Sequence, residues 1–246
     1  MTYEAEWTIT TSGSDRTGVA SIPYLCTLLQ ETATMHADSL GWGYDVLESE
    51  GLQWVLSRQW IRIQRYPGWK DRVVVATWPT GRKGLTWTRD YRVMDAAGAE
   101  MVRATSLWFV MDRRSRRPRP APFGDGMSFD DVERVRSEPL KTIEVPDGVR
   151  EALELRAGFH DIDVHDHVNN VQYVRWMLDA ADRGVHDGTR PAELEINFMA
   201  EGFEGDVLAV ATAETPGQSF HSLRRPSDDV ELCRLSCRWE TLTGGV

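Results

Sequence analysis

Three of the six histidines, His160, His165 and His167, fall within eight residues and are interleaved with Asp161, Asp163 and Asp166. Imidazoles and carboxylates at this density suit two kinds of chemistry. One is proton transfer to and from a reacting group. The other is metal binding, for which His165 and His167 with Asp161 or Asp163 offer plausible ligands. The residues that follow decide where such groups sit. Asn169 and Asn170 are helix-start residues, and apolar positions at Val171, Val174, Leu178 and Ala181 keep helical spacing with one buried face. The cluster is therefore a loop that delivers side chains to a helix N-terminus. Free backbone N–H groups there stabilise negative charge, such as the oxyanion formed in acyl transfer.

The elements that position this loop occur twice. Asp163 to Ala181 (DVHDHVNNVQYVRWMLDAA) matches Asp15 to Ala33 (DRTGVASIPYLCTLLQETA): a leading Asp, polar turn residues, then an amphipathic stretch. In the first copy Ile22, Leu25 and Leu29 carry the apolar face, and Ser21 with Pro23 marks the start. Each helix is followed by β-runs: Leu52 to Arg65 and Asp71 to Trp78 in the first half, Leu194 to Ala200 and Asp206 to Thr212 in the second. Aromatic, alternating strands complete each set, Leu85 to Met94 and Glu100 to Asp112, then His221 to Pro226 and Val230 to Thr241, with turns at Ala96-Ala97-Gly98 and Ser227-Asp228-Asp229. A short strand precedes each helix, Glu4 to Thr10 and Ala152 to Arg156. Each half is thus a strand, a long helix and four antiparallel strands, in which the helix buries its stripe on one face of a curled sheet. The class is α+β. The expected divisions are a first domain over 1–125, a linker over 126–148 that is rich in Arg, Pro and Asp, and a second domain over 149–246. Pro118 to Pro122 should be extended, and Asp130 to Arg136 is expected to form a turn of helix.

In register, His165 corresponds to Thr17, His167 to Val19, and Glu201 to Tyr66 when the β-runs are aligned on Asp71 and Asp206. The second copy holds titratable groups where the first holds neutral ones, so one half does chemistry and the other has another task.

A net charge of −10 argues against a nucleic-acid partner, which needs cationic contacts to phosphates. Positive charge is concentrated in Arg113, Arg114, Arg116, Arg117 and Arg119, either a solvated run or a docking patch for an acidic partner. No apolar stretch is long enough to span a bilayer. The start, Met1-Thr-Tyr-Glu-Ala-Glu6, lacks the basic and apolar parts of a signal peptide, so a cytoplasmic location is expected. Cys26, Cys233 and Cys237 are too few for a disulfide framework and read as small core residues.

The segment Asp161-Ile-Asp-Val-His-Asp-His-Val-Asn-Asn-Val-Gln-Tyr-Val-Arg-Trp176 closely resembles the active-site motif of plant and bacterial fatty acyl-ACP thioesterases. Trp54-Val-Leu-Ser-Arg58, Arg65-Tyr-Pro-Gly-Trp69 and Val75-Ala-Thr-Trp78 resemble that family's N-terminal signatures, and the likeness covers nearly the whole chain. The resemblance implies two tandem hotdog domains, an acyl pocket chiefly in the first, and hydrolysis of the thioester between a fatty acyl chain and acyl carrier protein. It implies no cofactor and no metal. Its catalytic Asp, His and Glu fall on Asp163, His167 and Glu201. The family's Asn falls on His165, a departure, since histidine makes similar hydrogen bonds but changes charge near neutral pH. Where some members carry Cys after the Glu, this chain has Gly202, so a cysteine acyl-enzyme is not expected. In the implied mechanism the N–H groups of Val168 and Asn169 hold the oxyanion, and Arg113, Arg114, Arg116 and Arg117 dock the carrier protein. An acyl-CoA thioesterase, or a non-catalytic acyl-binding protein in which His165 marks a degraded site, is the alternative. A monomer and a homodimer are both compatible with paired domains in one chain.

Overall fold

In a computed structural model, which describes residues 2–241, both helix starts are built by side-chain caps. Ser21 is extended and accepts the Tyr24 N–H on Oγ, opening helix α1 (Ile22–Ser39), with proline in the first turn where its missing N–H is harmless. The chain divides into two units, Met1–Leu140 and Lys141–Val246.

In the first unit, β1 (Tyr3–Thr8) precedes α1. A short helix, α2 (Tyr44–Ser49), follows, then β2 (Leu52–Ile63), β3 (Arg72–Lys83), β4 (Thr86–Asp95), β5 (Glu100–Asp112) and the two-residue β6 (Pro118–Arg119). The sheet runs β1-β3-β4-β5-β2, antiparallel throughout, with β6 paired to β5. Helix α1 lies on its inner face and buries Leu25, Leu28 and Leu29 there. Strand β3 runs past Trp78 through Pro79, because a bulge between Pro79 and Gly81 absorbs the missing N–H.

The second unit repeats this order. Strand β7 (Arg150–Arg156) precedes α3 (Asn170–Asp179) and the short α4 (Arg183–Gly188), followed by β8 (Thr189–Phe198), β9 (Val207–Thr215), β10 (Gln218–Arg225) and β11 (Val230–Thr241). Its sheet runs β7-β9-β10-β11-β8, the same order as β1-β3-β4-β5-β2. Each unit is a long helix on a curled antiparallel sheet, so the chain is a tandem hotdog. Cys26, Cys233 and Cys237 are buried free thiols, and burial raises each pKa.

Residues 130–136 are not a helix. Their backbone is taken by side chains on the outer face of the first sheet. Trp78 Nε1 donates to the Glu133 carbonyl at 2.9 Å, the Val135 N–H donates to Asp90 Oδ2 at 2.7 Å, and the Arg136 guanidinium lies 4.9 Å over Trp60. An extended strap satisfies these long-range partners and a helical turn would not. Residues up to Leu140 are held by the first unit. From Lys141 the chain is held by the second, where Ile143 N–H donates to Asn197 Oδ1 at 2.8 Å.

Candidate active site

The loop before α3 is a small closed frame. Ile162 and Val168 form a β-bridge, Asp163 N–H donates to the His167 carbonyl at 3.0 Å, and Asp166 N–H donates to the Asp163 carbonyl at 3.0 Å. The Asp163 carboxylate folds back to accept the His165 N–H at 2.9 Å, an Asx turn. Closing so short a loop forces one residue into the left-handed region, and Asp166 takes it with φ 65°. Asn169 then caps the helix, its Oδ1 accepting the Val171 N–H at 2.9 Å.

This frame brings three sequence-predicted groups together. His167 Nδ1 lies 3.8 Å from Asp163 Oδ1, and its Nε2 lies 3.4 Å from Glu201 Oε1. All three side chains are mostly shielded, at 17 to 19% exposure, and the His167 Nε2 atom is itself buried. The His165 ring stacks on His167 at 5.7 Å between centroids. His160 and Asp166 are exposed and point elsewhere, and Asp161 is used locally, its Oδ2 accepting the Gly158 N–H at 2.8 Å. Among the described residues, no group of three or more His, Cys, Asp or Glu side chains is arranged to hold a metal ion.

Glu201 stands on a loop after β8 that is clamped from three sides. The Gly202 carbonyl accepts the Val168 N–H at 2.8 Å, the Gly202 N–H donates to the Tyr173 hydroxyl at 2.6 Å, and Arg225 Nη1 donates to the Glu201 carbonyl at 3.2 Å. Asp228 and Asp206 hold Arg225 in turn and raise its pKa; burial raises that of the Tyr173 phenol. A Cβ at Gly202 would meet Leu232, the Tyr173 hydroxyl and Val168 at 3.1 to 3.2 Å, so the residue there must be small. Tyr173 and Arg225 hold the loop that carries Glu201, and the sequence alone did not point to either. Tyr173 reads as core from its helical spacing, and nothing near Arg225 in the sequence points to a loop 24 residues away.

The two oxyanion donors named from the sequence are corrected. Val168 N–H is spent on the Gly202 carbonyl and Asn169 N–H on the Asp161 carbonyl at 2.9 Å, so neither is left for a ligand. Among the described residues, the donor left at this helix start is the Asn170 N–H, the first of α3. The arginine run is an ordered hairpin tip between β5 and β6: Asp112 Oδ1 accepts the N–H groups of Arg114 and Ser115, and Asp112 N–H donates to the Arg117 carbonyl. Arg114, Arg116 and Arg117 are exposed, whereas Arg113 pairs with Glu48 at 2.7 Å.

Two family models cover most of the chain. Residues 1–122 match the acyl-ACP thioesterase N-terminal domain and residues 145–241 the acyl-ACP thioesterase C-terminal domain. The chain is 33% identical to a chloroplastic palmitoyl-acyl carrier protein thioesterase of Arabidopsis thaliana, over 94% of this chain and 61% of the relative. It is 30% identical to a protein of the same name from Cuphea hookeriana, over 95% and 60%. The chain thus spans about three fifths of the length of the curated relatives it matches. In fold it resembles the crystal structure of an acyl-ACP thioesterase from Bacteroides thetaiotaomicron (TM-score 0.88, 23% identity, 97% of this chain and 98% of that one). It also resembles the 12:0-ACP thioesterase from Umbellularia californica (TM-score 0.81, 23% identity, 98% of each).

Proposed function

We propose that this chain, which belongs to the acyl-ACP thioesterase family, hydrolyses the thioester between a fatty acyl chain and acyl carrier protein, releasing free fatty acid and the carrier thiol. The observation that carries this reading is His167 Nε2 at 3.4 Å from Glu201 Oε1, on a loop at a helix start, with Asp163 on the other ring nitrogen. In this mechanism Glu201 is the general base toward a water bound beside it, next to His167. His167 orients that water and passes a proton to the departing thiolate. Asp163 shapes the loop through the His165 N–H and steadies the imidazole. The Asn170 N–H, in place of Val168 and Asn169, faces the developing oxyanion, where one fixed donor at a helix start is worth several kcal/mol, of order 2.7–4. His165 stands where the family has Asn, stacked on His167, and polarises the water or the carbonyl.

The first unit receives the acyl chain. Trp42, Trp54, Trp87, Trp108 and Phe123 form an aromatic cluster on its inner face, several of them only partly buried. Trp60 and Trp78 lie on the outer face under the strap and have no part in it. The exposed Arg114, Arg116 and Arg117 form the docking patch for the acidic carrier, with Arg113 tied to Glu48 behind them. Among the described residues no helix is long and apolar enough to cross a membrane. The cytoplasm is the proposed location. The test is release of free thiol from acyl-ACP and acyl-CoA of the same chain, side by side. The expected result is faster release from the carrier protein, reduced by Arg114→Glu with Arg117→Glu. Equal rates on both carriers would sink the carrier assignment, and no release from either would sink the enzyme.

A further inference from the structure

The inner face of the first sheet is mostly apolar and is crossed by one polar row. Cα pairing sets Gln59 of β2 beside Ser106 of β5, and Ser106 beside Arg89 of β4, so three polar side chains line up across three adjacent strands. On one side of the row lies the aromatic cluster around Trp87 and Trp108; on the other lie Tyr91, Ala104 and Ile61. The row continues onto α1, where Arg89 Nη1 donates to His36 Nδ1 at 2.9 Å and to Thr77 Oγ1 at 3.2 Å.

These groups are short of acceptors. Arg89 sits on a central strand, and its hydrogen-bond partners are a histidine and a hydroxyl rather than a carboxylate. Asp90, its neighbour in sequence, is committed on the opposite face to Thr105 and Val135. Because Arg89 can only donate, His36 Nδ1 must be the acceptor and the proton of the neutral ring is on Nε2. That N–H is buried and has no partner among the described residues. Leaving a buried donor without an acceptor is unfavourable. The amide of Gln59, only 6% exposed, also makes no hydrogen bond within the described residues. Arg89 faces the helix and keeps 9% of its surface accessible. Ser106 is engaged elsewhere: Trp108 Nε1 donates to its Oγ at 2.6 Å, Tyr91 Oη lies 3.0 Å from it, and it donates to the Arg89 carbonyl at 3.5 Å. The row therefore brings the Arg89 guanidinium and the Gln59 amide, both with hydrogen-bonding capacity to spare, to an apolar interior.

A saturated chain crossing this row would strip water from a guanidinium and return nothing. A chain with an oxygen at the right carbon would accept from it. Resting on the reading that this unit receives the acyl chain, we propose that Arg89, Gln59 and His36 form a recognition site for an oxygen on that chain. The protein then selects acyl groups bearing a hydroxyl or oxo substituent over unsubstituted chains of equal length.

The test uses the full chain and CoA thioesters of dodecanoate and tetradecanoate, unsubstituted or with one hydroxyl moved along the chain, read as kcat/KM by thiol release. At one hydroxyl position the wild type should prefer the substituted chain by roughly ten- to a hundredfold. Arg89→Met and Gln59→Leu should each shift preference toward the unsubstituted chain. Gln59→Leu leaves the Arg89–His36–Thr77 bonds in place, so it decides the matter even if Arg89→Met does not fold. No preferred position in the wild type, or a preference unchanged in Gln59→Leu, overturns the proposal. A second readout is independent of catalysis: quenching of tryptophan fluorescence by the free hydroxy acid and by the unsubstituted acid. If no thioester is cleaved, the hydrolase reading falls while this binding comparison still decides the recognition site. Tighter binding of the hydroxy acid supports the site, and equal binding rejects it.

Discussion

The loops before the two long helices share one backbone and differ in what hangs from it. In the first, Asp15 N–H donates to the Val19 carbonyl, Gly18 N–H to the Asp15 carbonyl, and Thr17 N–H to the Asp15 carboxylate. In the second, Asp163, Asp166 and His165 make the same three bonds to His167, Asp163 and the Asp163 carboxylate. Ala20 N–H donates to Pro67 as Val168 N–H donates to Gly202, both at 2.8 Å. Tyr66 and Glu201 are therefore structural equivalents. Where the first frame carries Thr17, Val19 and Tyr66, the second carries His165, His167 and Glu201. The frame is common to both halves, and the titratable side chains are not. It holds a helix start and a neighbouring loop together, and the second copy loads it. One addition is specific to that copy: the first has Pro67, which has no N–H, opposite Leu25, and the second has Gly202 donating to Tyr173.

The largest effect should come from unloading the second frame. Glu201→Gln keeps the size and the hydrogen-bonding capacity of the side chain but not its basicity. Turnover is expected to fall by roughly 10²- to 10⁴-fold at unchanged KM, measured by thiol release at saturating substrate. If turnover survives within a few-fold, the loaded frame is not the site of chemistry and the contrast between the loops has no functional meaning.

A second contrast sets His36 of the first unit beside His221 of the second. Burial lowers both from 6.5 to about 4. His221 lies on β10, its Nε2 2.8 Å from the Ser219 hydroxyl. A lowered histidine pKa means the unfolded chain takes up a proton that the folded chain refuses. The stability contributed is complete above pH 6.5 and is lost as pH falls toward about 4. Urea unfolding should show a loss of roughly 2–5 kcal/mol across that window for the two together. His221→Gln should reduce the pH slope without removing it, since His36 remains. A slope unchanged by that substitution would mean that His221 has no share in it.

Smaller still is the cost of the added bond behind Glu201. Tyr173→Phe leaves the Gly202 N–H buried without an acceptor, which should cost about 1–3 kcal/mol of stability. A purely structural role would stop there. If Tyr173 positions Glu201, kcat should also fall about tenfold while KM stays level at a temperature where the variant is fully folded. Full activity at that temperature would leave the hydroxyl a structural bond alone.

The repeat made much of this legible in advance. Ser21 and Asn169 cap helices where the sequence reading puts them, the strands fall near their expected bounds, and the Tyr66–Glu201 register follows from the aspartates at 71 and 206. Those features are local or periodic. What could not be read depends on partners far along the chain. The Val168 N–H is an open helix-start donor until Gly202 arrives 34 residues later. Residues 130–136 have helical composition but are claimed by Trp78 and Asp90. Likewise, no sequence period reveals that Arg89 and Gln59 share a row with Ser106, because the bulge between Leu56 and Arg58 resets which face β2 presents.

The finest test of the shared frame is its left-handed residue. Gly18 (φ 79°) and Asp166 (φ 65°) occupy the same step of the turn, and only glycine does so without steric cost. Asp166 is exposed, and its side chain makes none of the frame's hydrogen bonds. Asp166→Gly should relieve roughly 1 kcal/mol of left-handed strain, partly offset by the greater freedom of glycine in the unfolded chain. Thermal unfolding should then rise by about 1–3 °C for a chain of this size. Gly18→Asp, the reciprocal change, should lower it by a similar amount. If both substitutions shift the midpoint in the same direction, the two turns are not the same object energetically, whatever their hydrogen bonds. If they move oppositely, the second copy has accepted strain at the residue between its two histidines.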